Sequence, residues 1–152
     1  MKFLTLEAGQ LGALVDNIVV DLPAAAAALS ELLPADTLES LVVAGDDAAG
    51  RAWKIAGSAI ERQAACRLFN EVRPAAPIPA PRRNILCLGK NYLDHAREIA
   101  RKMRTSSSDF PAKPIFFTKA TTAVIAPGEP VPSYPGITRK LDYEAELALI
   151  IG

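Results

Sequence analysis

Residues 140–152 read "KLDYEAELALIIG", and their alternation decides how the second half of the chain is to be read. From 141 to 151 every odd position is apolar: Leu141, Tyr143, Ala145, Leu147, Leu149 and Ile151. Strict period two predicts a strand with one buried face. The opposite face begins Asp142, Glu144, Glu146. Three carboxylates in a row repel, and strands disfavour Asp and Glu. Residues two apart on a strand share a face at a separation of roughly 6.6 Å, so Glu144 and Glu146 can converge on one cation. Oxygen ligands, a single His and no paired cysteines favour a hard ion, Mg²⁺ or Mn²⁺, over zinc. The same face also suits an edge strand whose charges deter aggregation.

Working outward, residues 73–83, "RPAAPIPAPRR", carry four prolines, which deny helix and central strand and favour an extended linker. Before it, "KFLTLEAG" and "LGALVDNIVVDL" read as short strands joined by a Gly turn. "PAAAAALSELL" (23–33) and "AWKIAGSAIERQAACRLFNEV" (52–72) read as helices, with Pro23 well placed at the start of the first. After it come a buried strand "NILCLG", a helix "NYLDHAREIARKM", a loop "RTSSSDFPAKP", an extended "IFFTKATTAVIAPG" and the closing strand. The expected class is α+β: a small domain over 1–73, a linker over 74–83, and a β-rich module over 84–152.

Composition narrows the function. Seventeen basic residues balance seventeen acidic ones among 152, so no net field draws the chain to nucleic acid or an anionic membrane. The longest apolar run, residues 22–29, is too short for a membrane span, and Glu7 interrupts any signal sequence. Cys66 and Cys87 read as buried thiols of a reduced, cytoplasmic protein. "GDDAAGRA" (45–52) has the glycine spacing of a phosphate loop. It places Arg51 where Lys is required and Ala52 where Ser or Thr is, so it reads as an acidic surface turn. On the helix after the linker, Leu93, Ala96, Ala100 and Met103 form an apolar stripe. His95 and Glu98 lie opposite, at the i,i+3 spacing that lets a carboxylate hold an imidazole. That pair reads either as a general base or as an ordinary ion pair on an exposed face.

Three blocks in register, "NILCLGKNYLDHAREI", "KPIFFTKATTAVIAPGEPV" and "KLDYEAELALIIG", resemble the fumarylacetoacetate hydrolase family, and the first 22 residues resemble the small leading domain of many members. The resemblance implies a mixed β-sandwich roll of which this chain holds the first part. It implies metal ligation by Glu144 and Glu146, a catalytic pair His95–Glu98 on a lid segment, and substrate contact through Lys119. It also implies a homodimer acting on a small anionic oxo acid. The family's third metal carboxylate lies downstream of the second glutamate, so a truncated chain, inactive alone, is expected. The implied reaction is metal-dependent hydrolysis of a C–C bond in a diketo or 2-oxo acid of the acylpyruvate kind. The alternatives are isomerisation or decarboxylation, or a non-catalytic fragment. Arg97, Arg101, Lys102 and Arg104 would draw such anions to the helix, or simply solvate its end.

Overall fold

The computed structural model describes residues 2–103 and 112–152. The chain is mixed α+β and divides into two compact units, Met1–Pro79 with Val124–Gly152, and Ala80–Ala123.

In the first unit, β1 (Lys2–Thr5), β2 (Leu11–Val15), β3 (Ile18–Asp21) and β4 (Cys66–Leu68) form one antiparallel sheet in the order β1-β2-β3-β4. Gly9, at φ 89°, supplies the left-handed residue that closes the β1–β2 loop, where Gly9 N donates to Leu6 O. The stretch 11–22 is not one strand. Asp16 (φ 52°) and Asn17 turn the chain back so that Val15 pairs with Ile18, the turn chemistry that Asp and Asn favour.

Three helices cover one face of this sheet. Helix α1 (Leu22–Leu29) starts where the Asp21 carboxylate accepts from Ala24 N at 3.1 Å, with Pro23 in its first turn. It stops four residues short of the expected end because Ser30 adopts the left-handed conformation (φ 55°, ψ 38°) and its N–H donates back to Ala26 O and Ala27 O. Helix α2 (Leu38–Ala44), which the sequence reading missed, opens on a Thr37–Ser40 capping box.

Helix α3 (Asp46–Glu61) begins inside the stretch read as a surface turn. Asp46 and Asp47 sit in its first turn, where the helix dipole favours anions, and Ala48 and Ala52 are buried. Its end is earlier than expected: Gln63 (φ 54°) and Ala65 (φ 54°) break the helix, and residues 66–68 pair with β3 instead.

Alanine runs let these elements approach closely. Ala25 and Ala26 of α1 and Ala48, Ala52, Ala56 and Ala59 of α3 join Leu11, Ala13, Val20, Leu22 and Ile55 in the main core. Phe3 stacks on Trp53 with ring centroids 4.3 Å apart. Leu6, Val19 and Val72 form a second cluster with Leu4 and Leu14 on the other face. The proline stretch takes part in the unit, since Ala75 N donates to Thr5 O (2.9 Å) and Thr5 Oγ1 to Pro77 O (2.5 Å). Residues 74–79 are therefore strapped along β1.

In the second unit, β5 (Ile85–Gly89) and β6 (Ile115–Lys119) form a two-stranded antiparallel sheet, separated in sequence by α4 (Leu93–Met103). The expected strand "NILCLG" is present, but Leu86 is 73% and Phe116 63% exposed. Of the expected loop 104–114, residues 104–111 lie outside the described residues. Both Cys66 and Cys87 are free and half-buried. Burial pushes the Cys66 thiol up.

The closing segment departs most from expectation. Residues 141–152 carry no strand, and no strand among the described residues pairs with them. Tyr143 (89%) and Ile151 (92%) stand in solvent. A strand is held by its ladder, and apolar alternation alone cannot supply one. Residues 124–152 also group with the first unit rather than with 84–123, and a Cβ built on Gly152 would come 2.5 Å from Val42 O.

Two measurements check this description. Ser30→Gly relieves the left-handed cap and should raise stability by about 0.5–1 kcal/mol, seen as a higher Tm. An unchanged or lower Tm would contradict the assigned cap. A fragment ending at residue 79 should melt above one ending at residue 73, by about 1–2 kcal/mol, because only the longer keeps both Thr5 bonds. Equal melting would show that the strap contributes nothing.

Candidate active site

The candidate residues fall into two groups. His95, Glu98 and Lys119 belong to the second unit, Glu144 and Glu146 to the first, and each group is described by itself.

Helix α4 has Asp94 in its first turn and Arg101 and Lys102 in its last, the order that complements the helix dipole. Ala96 is buried, while Leu93 on the same stripe remains exposed. His95 is half-buried and Glu98 exposed. Successive steps of three and four residues put His95, Glu98 and Lys102 along one helix face. Glu98 Oε1 lies 2.8 Å from Lys102 Nζ.

This partner was not anticipated. Beyond the His95 neighbour that the i,i+3 spacing gives it, the Glu98 carboxylate is held by the lysine one turn on. The i,i+4 Glu–Lys spacing was the available signal. The hydrogen bond and charge of Lys102 hold the Glu98 carboxyl below the usual range, with smaller help from His95 and Arg101 against a desolvation penalty. The folded-state value is lowered, so what the pair contributes is present above the unfolded value and is lost as pH falls through the folded one. Both side chains are largely exposed, so solvent screens that contribution. Nearer the start of the helix, Arg97 Nη1 meets Asp94 Oδ1 at 3.3 Å.

Lys119 ends β6 opposite Ile85 and is exposed. Glu144 and Glu146 are exposed on the irregular segment, where Asp142 Oδ1 accepts from Tyr143 N at 3.0 Å. The same-face geometry expected of them needs a strand, and none is present. Among the described residues no group of three or more His, Cys, Asp or Glu side chains is disposed to hold a metal. The donor chemistry of Glu144 and Glu146 fits a hard divalent ion, but two carboxylates leave most of its coordination positions to water or to other ligands.

Residues 84–152 match the model of the fumarylacetoacetate (FAA) hydrolase C-terminal family. The whole chain is similar to an oxaloacetate tautomerase of Bacillus subtilis, 37% identical over an alignment 162 positions long that covers 100% of this chain and 52% of that protein. A mitochondrial oxaloacetate tautomerase of Bos taurus is 41% identical over 70 residues, 46% of this chain and 28% of that protein. The chain thus spans about half the length of the bacterial relative. Enzymes of the family are generally divalent-metal dependent. Among the described residues no helix is long and apolar enough to cross a membrane.

The metal assignment is checked on this chain directly. Calorimetric titration with Mn²⁺ should show binding no tighter than about 10⁻⁴–10⁻³ M, the weak end for oxygen sites. That binding should vanish in Glu144→Gln/Glu146→Gln, and a double mutant that binds as well as the parent would remove both residues from the ligand set.

Proposed function

We propose that this chain forms part of a divalent-metal-dependent enzyme that interconverts the keto and enol forms of a small 2-oxo diacid of the oxaloacetate type. The observation that carries this reading is the similarity of the whole chain to the bacterial oxaloacetate tautomerase. In this reading residues 84–152 open a β-sandwich roll that further sequence completes, and 1–73 is its leading domain. The active form is a cytoplasmic homodimer.

Each residue has a role that its chemistry supports. Glu144 and Glu146 would hold Mg²⁺ or Mn²⁺. Such an ion, when bound, supplies positive charge beside the oxygens of the oxo acid. His95 is the base that takes a proton from the carbon next to the keto group; the enolate oxygen then takes a proton from the imidazolium or from water to give the enol, and the reverse direction runs the same transfers backward. Glu98 orients the imidazole and compensates the charge it gains. Lys119, a cation at a strand end, would meet a substrate carboxylate.

Hydrolysis of an acylpyruvate-like C–C bond is the second reading, favoured by the family's description as FAA hydrolases. There the His95–Glu98 pair would deprotonate water instead of carbon. The two readings share residues and differ in which proton moves.

A chimera tests both. Joined to the C-terminal half of the Bacillus subtilis relative, the chain should accelerate oxaloacetate tautomerisation with Mg²⁺, while the chain alone should not. His95→Ala in the chimera should lower kcat by roughly 10²–10⁴-fold, the usual share of general acid–base catalysis. Undiminished turnover after that change would remove His95 from the reaction. Activity on an acylpyruvate but not on oxaloacetate would replace the tautomerase reading with the hydrolase one.

A further inference from the structure

Glu98, the candidate base's own partner, makes an ion pair with Lys102, and no part of the proposed reaction uses it. Glu98 stands between two nitrogen bases on one helix face, His95 three residues before it and Lys102 four residues after. A carboxylate has two oxygens and can serve both neighbours, but what it gives to an ammonium at 2.8 Å it withholds from an imidazole. Exposed pairs of this spacing add little to stability, so the consequence of this one falls on its neighbour.

We propose that Lys102 is a positioning residue: it competes with His95 for the Glu98 carboxylate and thereby sets how firmly Glu98 orients the imidazole. The charged groups acting on Glu98 among the described residues are Lys102 first, then His95 and Arg101, all on α4. Lys102 both keeps Glu98 ionised and engages one of its two oxygens. A carboxylate left to His95 alone would bias the ring toward the tautomer whose N–H faces Glu98. With Lys102 present that bias is weaker, and the ring exchanges its proton more readily. The inference rests on casting His95 and Glu98 as the proton-handling pair.

The chain offers a direct reporter, because His95 is its one histidine and gives a single set of ring nitrogen signals. The ¹⁵N shifts of the ring, read in the full 152-residue chain at a pH where the imidazole is neutral, give the tautomer ratio. Lys102→Met should move that ratio roughly twofold toward the tautomer that donates to Glu98, the size expected of one exposed charged contact. Lys102→Arg should leave it near the parent value, since a guanidinium also holds the carboxylate. The deciding comparison is a cycle. In a Glu98→Gln background the same Lys102→Met change should have no effect, because the lysine acts through the carboxylate.

In parallel, the Glu98 carboxyl, followed by its ¹³C signal, should titrate at higher pH in Lys102→Met than in the parent. An equal ratio change with and without Glu98 would show that the lysine acts on the ring without the carboxylate, and would overturn the proposal. Identical ratios in all the variants would overturn it as well. Coupling seen in the ring together with full turnover in the His95→Ala chimera would instead sink the functional reading and leave Lys102's hold on Glu98 standing.

Discussion

Every extended segment must find hydrogen-bond partners for its backbone, and that requirement separates the two halves of this chain. In residues 2–79 a four-stranded ladder meets much of it. Four strands pair in sequence order, helices seal one face, and the strap from Val72 to Pro77 helps cover the other through Thr5. Among the described residues of 84–152, the strand ladder is the β5–β6 ribbon. A two-stranded ribbon is marginal without a third strand or a helix packed across it, and Leu86 and Phe116 remain exposed on it. The candidate site inherits this difference, because its carboxylates lie on the segment without a ladder.

What was legible in the sequence follows the range of the interactions involved. Local chemistry read well: the Asp21–Pro23 helix start, the Gly9 turn and the strand 85–89 depend on residues a few positions apart. Errors came where a local signal was overridden or hidden. Asp46 and Asp47 were taken for a turn because acidic residues beside glycine suit one, yet the buried faces of Ala48 and Ala52 make the same stretch a helix. The helix expected to continue past Glu61 gave way to β4, since pairing with β3 rewards Cys66 and Arg67 more than another helical turn would. Neither outcome is visible without the distant partner. The site shows the same division: His95 and Glu98 fell on a helix as expected, whereas the strand predicted for Glu144 and Glu146 required neighbours the pattern could not name.

The acidic segment carries a conflict between levels, and such conflicts tend to mark function. Its odd positions call for a strand, while Asp142, Glu144 and Glu146 oppose one through mutual repulsion. A divalent ion held between two of those carboxylates removes the repulsion that resists strand formation. Strand formation in turn brings the carboxylates onto one face at a spacing an ion can bridge. The two events therefore favour each other, and by linkage the ion's affinity must rise in any state where residues 141–151 are paired. In the irregular state described here, binding has to supply the ordering of that backbone as well as the dehydration of the ion. Weak metal binding by this chain and tighter binding in a completed sheet would then be two measures of one coupling, in which the apolar positions Leu147, Leu149 and Ile151 act on ion affinity through the strand they favour.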